Sequence, residues 1–429
     1  MIQLIARIKR AAGRDLLVNA GSMIGTTVVT AGLGFVYWWL AARHFSQEAV
    51  GIASALISAM GLLGSLGMVG LGTLLIGELA RRPRQAAVLL TTGLLASGVV
   101  SAVLGLLFVL LAPLLSPEFN DLRGGPGVAL LFSLGVVLTA VTLVLDQALI
   151  GLLRGGLQLW RNTIFAVAKL VVLLLLGLWA AGSGSIAIYT TWTAGNLISL
   201  AAIALAARRG LRPARPEWEL LRQLPGAALE HHALNLALQL PGLALPVIVT
   251  ALLSPALNAS FYMSWLLLHM VYAVPYTLTT VLFAAGAADT QGFTQKIRMT
   301  LGAALALGLL SNLVLWPSAG LILGVFGREY AEQAAWSMRV MALGVFPLIV
   351  KDHFVAVRRV QSQIRGTAAL AMLGSALELA FGAAGAALGG LTGLAFGFVL
   401  ALCLEALLMA RPVWQAARPS AGAVVMRNA

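Results

Sequence analysis

The sequence predicts an all-α, polytopic membrane protein of about twelve transmembrane helices in two pseudo-symmetric lobes of six. Three observations predict it. Of 429 residues, 60% are hydrophobic and only 10% charged, against about 45–50% and about 25% in soluble domains. A soluble fold of this length cannot hide so much apolar surface, because its interior grows too slowly with chain length. The apolar residues are gathered into runs of about 20, the length a helix needs to cross a hydrocarbon core about 30 Å thick. These runs are continuous rather than alternating, which indicates helices and not barrel strands. The single Cys, Cys403, excludes a disulfide scaffold.

Clusters of Arg, Pro and Gly delimit the spans at 16–40, 50–76, 86–113, 127–150, 158–181, 185–207, 226–250, 259–284, 300–324, 333–350, 367–388 and 391–410. The first is too long for a signal-peptide core and has no small-residue cleavage site before Arg43, so it is expected to remain as a span. Ahead of it, Ile2, Ile5 and Ile8 are interleaved with Arg7, Lys9 and Arg10, a pattern that suits a short basic segment lying on the membrane surface. The tenth span is short and carries Arg339. The last two share the Gly/Ala-rich stretch Gly382–Gly397, with little polar break between them.

The formal net charge of +13 takes its meaning from where the charges fall. With the N-terminus inside, the cytoplasmic segments hold 23 of the 28 Lys and Arg residues, Arg161 and Lys351 among them. Arg43, Arg123 and Arg328 fall on the opposite side, Arg339 near it, and Lys169 within a span. This is the positive-inside pattern. The charge is a topology signal and an anionic-lipid contact, not a nucleic-acid footprint. Both termini are expected in the cytoplasm.

The longest polar interruption, Arg208–Arg222, carries Pro213, Pro216 and five arginines. It divides the chain into an N-terminal lobe (1–207), a basic linker (208–225), a C-terminal lobe (226–410) and a tail (411–429). The halves read as diverged copies: the junction between spans one and two, Phe45-Ser-Gln-Glu-Ala-Val-Gly-Ile-Ala-Ser54, parallels Leu253-Ser-Pro-Ala-Leu-Asn-Ala-Ser-Phe-Tyr262 between spans seven and eight. An even number of spans per copy gives parallel topology, an arrangement common in transporters.

Asn19-Ala-Gly-Ser22, Leu40–Ser54 and Gly64-Ser-Leu-Gly-Met-Val-Gly-Leu-Gly72 resemble the opening of the polysaccharide-export branch, which contains the O-antigen flippases, of the multidrug/oligosaccharidyl-lipid/polysaccharide (MOP) flippase superfamily. The likeness is clearest over 16–85. It implies a transporter that moves polyprenyl-diphosphate-linked oligosaccharide from the cytoplasmic to the outer leaflet of a bacterial plasma membrane, without a cofactor. It also implies work alongside a polysaccharide polymerase or glycosyltransferases.

Ionisable groups at span depth are costly, so each is a candidate site. Lys169 lies eight residues beyond Arg161, about 12 Å deeper along the helix. It either supplies a fixed charge to a diphosphate headgroup or snorkels or pairs with an acid. Glu378, about 18 Å past Gly366, is a candidate for ion coupling or for a structural pair with Lys169 or another base. Glu230 is a second coupling candidate nearer the cytoplasmic edge, while Asp146 and Glu405 at similar depth read as structural. Polar stripes occupy matching spans of the two halves: Asn19, Ser22, Thr26 and Thr30 in the first, and His232, Asn235 and Gln239 in the seventh. They line a cavity or bond helix to helix. In the eighth, Tyr262, Trp265, His269, Tyr272 and Tyr276 form an aromatic face suited to sugar rings or to the membrane interface.

No phosphate-binding glycine loop followed by Lys-Ser/Thr occurs, and no metal-ligand spacing. No loop exceeds about twenty residues, below the size of a folded domain, which argues against an enzyme such as a membrane polymerase. The other reading is an ion-coupled multidrug or cation efflux antiporter, which needs acids in its cavity more than bases. The orientation is testable with reporter fusions: an alkaline phosphatase joined after Gly124 is expected to be active, and one joined at Ala429 inactive.

Overall fold

The computed structural model of the protein describes residue 25 and residues 29–179, 184–207, 214–219, 226–288 and 292–418. Among the described residues every regular element is helical. In chain order α1 covers 29–44, α2 Gln47–Gly67, α3 Leu71–Arg81, α4 Ala86–Leu115, α5 Pro126–Gly151, α6 Gly155–Trp179 and α7 Ser185–Ala207. Then come α8 Gly226–Leu252, α9 Pro255–Ala288, α10 Phe293–Gly324, α11 Arg328–Ala342 and α12 Val345–Val360. The helix Ile364–Ala417 is interrupted by non-helical backbone at Gly389 and Gly390, the latter at φ +59°. It is therefore two spans, α13 (364–388) and α14 (391–417). A Cβ on Gly385 would strike the Gly393 carbonyl and one on Gly397 the Phe381 carbonyl. The Gly/Ala run thus lets two antiparallel backbones pack in contact, as small residues do between membrane helices.

Nine of the described helices, taking 364–417 as one, are long and apolar enough to cross a membrane, and the pair α11–α12 together makes a tenth. The first predicted span, 16–40, lies partly outside the described residues. Two predicted spans are corrected. The second, 50–76, ends at Gly67: Val69 and Gly70 take positive φ (44° and 77°), and the chain restarts as the short α3. The tenth, 333–350, is the broken pair α11–α12, bent by 46°. Its second half runs on through Lys351-Asp-His353, which reads as a loop in sequence. Helix continues there because those polar side chains find partners inside the protein.

The chain forms two compact units, Met1–Leu236 with Ser254–Ala259, and Ala237–Leu253 with Ser260–Ala429. In the first, α5 packs against α2, α3, α4 and α7, and α2 also against α4 and α7. Leu75 and Leu79 of α3 join Leu89, Val144 and Ala148 in one buried cluster. The two junctions that read as copies of one another carry the same cap. Ser46 accepts from the Ala49 N–H, and Ser254 from the Leu257 N–H, both at 3.2 Å; each serine satisfies a backbone donor that the helix start leaves open. The two junctions also touch. Asn258 Nδ2 donates to the Gly51 carbonyl (2.8 Å) and to Ser54 Oγ (3.1 Å). Only Gly fits at 51, since a Cβ there would overlap the Pro255 carbonyl.

In the second unit α12 packs on the α13–α14 hairpin, and α10 on α11 and α12. At the α11–α12 bend, carbonyls released from helical bonding are taken up by side chains. Asn312 Nδ2 donates to Ala342 O (3.1 Å), and the Tyr272 hydroxyl donates to Met341 O. Gly51→Val is expected to destabilise the protein by about 3 kcal/mol through overpacking. Gly302→Ala, with open space around it, should be neutral or stabilising. Thermal unfolding of the two variants in detergent checks this.

Candidate functional site

Each unit holds a group of buried charges, and the two groups differ in how the charge is balanced. In the first unit α6 carries Lys169, only 5% exposed. Its ammonium sits 3.8 Å from the centre of the Trp192 ring, 4.8 Å from Phe165 and 4.9 Å from Tyr37. Phe165 is one helical turn before the lysine, Trp192 comes from α7 and Tyr37 from α1. The helices approach because Gly195 presents no side chain; a Cβ there would come within 3.1 Å of both Lys169 Cβ and Phe165. Tyr37 is pinned by its hydroxyl, 2.6 Å from Thr191 Oγ1 and 3.3 Å from Ile188 O. Among the described residues no carboxylate pairs with Lys169. Ring faces attract a cation by about 0.5–2 kcal/mol each, so the cage offsets only part of the several kcal/mol that desolvating an ammonium costs. The result is a localised, unbalanced positive charge.

Two helical turns earlier on α6, Arg161 shows the contrast. Sequence reading puts it in a cytoplasmic segment, but it is 3% exposed and forks onto Asp146 of α5, with Nε–Oδ1 2.8 Å and Nη2–Oδ2 2.6 Å. Asn162 donates to the same carboxylate at 3.2 Å. This bidentate pair is neutral as a group, which is what allows it to be buried.

The second unit holds a triad. Lys351 of α12, also expected in a cytoplasmic loop, is buried and sits between two carboxylates: Nζ is 2.5 Å from Glu378 Oε1 on α13 and 2.9 Å from Glu405 Oε2 on α14. The base that pairs with Glu378 is thus Lys351. Glu405, expected near the cytoplasmic edge, is 1% exposed. Its carboxyl group occupies the space left by Gly374, where a Cβ would overlap it. Beside Lys351, His353 is held by the Ile349 carbonyl (2.7 Å) and Thr300 Oγ1 (3.2 Å).

The comparisons agree with this helical plan. The model of the family described as "Polysaccharide biosynthesis protein" matches residues 16–217. A multidrug resistance MATE family transporter of the MOP superfamily, in its inward-facing conformation, superposes with TM-score 0.68 at 13% identity over 93% of this chain and 96% of that one. A MOP superfamily transporter from Pyrococcus furiosus gives TM-score 0.60 at 13% identity (94% and 96% covered). A MATE protein in its straight conformation gives 0.62 at 12% identity (94% and 96%). Among curated proteins no sequence matches. The chain shares the fold of these solved structures.

Within that fold the predicted site residues are distributed as follows. Asn19 and Thr26 lie outside the described residues. On α8, His232, Asn235 and Glu230 are partly buried and Gln239 is exposed. The aromatic face of α9 is divided. Trp265 is buried in ring contact with Phe261, His269, Tyr272 and Phe398. His269 is exposed, with Nδ1 3.2 Å from the Trp265 carbonyl. Tyr272 is tied to α11. Gly242 of α8 opens the space they share, since a Cβ there would meet His269 and Trp265 at 3.3–3.4 Å. The cage residues Tyr37, Phe165 and Trp192 and the base Lys351 escape sequence reading. The one available signal for Lys351 is the apolar run Phe354–Val357 after it, which extends the span beyond the charged cluster.

Breaking a buried pair leaves an uncompensated charge, at about 3–5 kcal/mol. Lys351→Met is therefore expected to lower stability by that order in thermal unfolding. Adding Glu378→Gln should restore a large part of it.

Proposed function

We propose that the protein moves a polyprenyl-diphosphate-linked oligosaccharide, a polysaccharide or O-antigen repeat unit, from the cytoplasmic to the outer leaflet. The observation that carries this reading is Lys169: a buried ammonium at span depth, enclosed by rings and matched by no described carboxylate. A fixed cation without a counter-ion is a place for an anion. A diphosphate competes with ring faces for the ammonium and wins, because a charge-assisted contact is stronger than a cation–π contact. The polysaccharide-biosynthesis likeness over 16–217 and the MOP fold support the same substrate class. In the Pyrococcus furiosus transporter a reverse polarity of the binding pocket suggests a different function, which supports the idea that pocket charge separates functions within this fold.

In this reading His232, Asn235, Gln239 and His269 contact sugar hydroxyls, and Asn19 and Thr26 are further candidates for the same role. The aromatic edge of Trp265 and Tyr272 orients His269, and the lipid tail stays in the bilayer. Glu378 and Glu230 are the groups proposed for ion coupling. The protein acts as a carrier and not an enzyme, in a bacterial inner membrane with both termini cytoplasmic. Polymerase and glycosyltransferases act before and after it. An efflux antiporter would need an acid free to meet its cargo, and Glu378 and Glu405 are both bridged by Lys351.

Complementation of a flippase-null strain tests the role of Lys169. Lys169→Ala is expected to reduce glycan export by at least about tenfold, equivalent to a contact of about 1.4 kcal/mol, and Lys169→Arg to retain part of it. Wild-type export from a normally expressed Lys169→Ala protein removes Lys169 from the mechanism.

A further inference from the structure

The second-unit triad sets one ammonium against two carboxylates, all three nearly inaccessible. Both ionised, the carboxylates leave one uncompensated negative charge in a region where even a balanced pair is costly. The hydrogen bonding is lopsided in the same sense. Glu378 accepts from Lys351. Lys351 approaches Glu405 Oε2 at 2.9 Å, yet neither carboxyl oxygen of Glu405 accepts a hydrogen bond from a described residue, although both are buried. Both carboxyl groups touch the same ammonium, which brings them side by side. Two carboxyl groups in such contact need a proton between them.

We infer that the Lys351–Glu378–Glu405 triad is a single-proton site, in which one exchangeable proton resides on Glu405 and is donated to Glu378. The ammonium already occupies the space between the carboxylates that a metal cation would need. Among the described residues no three His, Cys, Asp or Glu side chains are grouped to hold one. Gly374 provides the slot for the Glu405 carboxyl group. The other titratable groups around the triad are Tyr272 of α9, facing Glu378, and Asp352, His353 and Arg359 of α12. On α10, Thr300 holds His353; from α8 the neighbour is the Ala237 carbonyl, bonded by Ser375. Asp352, next to Lys351 in sequence, lines a small cleft with Tyr276, Thr279, Thr280 and Arg359, and its carboxylate feels the Lys351 charge. On release the proton passes by way of Asp352 to water in the cleft, and the triad is left with one net negative charge.

Only the use of this proton as the coupling ion rests on the transport reading; the occupancy of the site does not. Infrared difference spectroscopy on the full-length protein in nanodiscs, through a pH titration, reads the site directly. The wild type is expected to lose one carboxylic-acid band as pH rises. Glu405→Gln, which keeps the neutral shape, should abolish that band, and Gly374→Ala should move its midpoint by at least about one pH unit, tenfold in proton affinity. Asp352→Asn should slow proton exchange at an unchanged midpoint. If Glu405→Gln does not fold, Glu378→Gln and Gly374→Ala carry the same test. A wild type without the band, a band that survives in Glu405→Gln or is unmoved in Gly374→Ala, or its displacement by sodium at constant pH overturns the inference. Failure of Lys169→Ala to affect glycan export leaves this result intact, so the two readings fail separately.

Discussion

The cost of holding charge away from water is the constraint around which this molecule is arranged. Apolar helices are inexpensive in lipid and carry little information beyond their length. Each ionised side chain at depth must instead be matched, caged or neutralised. Three solutions coexist. Asp146 and Arg161 cancel in a bidentate pair. Lys351 spans two carboxylates and leaves an excess of negative charge. Among the described residues Lys169 meets ring faces and no carboxylate, which leaves an excess of positive charge. The neutral pair stabilises and does little else. The two unbalanced groups are where a mobile charge, anionic cargo or proton, has most to gain.

Glycine is what makes both unbalanced groups possible. Gly195 lets α7 approach α6 until Trp192 covers the Lys169 ammonium, and Gly374 opens the slot that the Glu405 carboxyl group fills. Close approach of backbones in lipid is ordinarily a device for adhesion. Here the same device sets the distance between a charge and its surroundings, so that a methyl group at either position alters electrostatics and not only packing.

The internal duplication is visible as chemistry and not only as topology. Ser46 and Ser254 cap their helices by the same bond at the same register. The two junctions meet through Asn258, Gly51 and Ser54. The copies have diverged in their charges, however: the first unit keeps its cage around a lysine of α6, the second its triad on α12, α13 and α14. A common scaffold with different buried charges fits a fold whose relatives at 12–13% identity retain the shape over nearly the whole chain.

Hydropathy determined most of the spans by itself, because crossing a bilayer is a requirement on consecutive residues and is met or missed locally. It also marked Lys169 and Glu378 as costly residues and the serine junctions as copies. It ended the tenth span at 350, where a polar cluster began, although the helix that carries Lys351 runs on to Val360. Whether a charged side chain belongs to a loop or to a helix interior depends on whether an opposite charge stands beside it, and for Lys351 that partner lies 27 residues away on α13. Partner choice is a property of packing in three dimensions, so only the tertiary structure decided which charges are silent and which are left unbalanced.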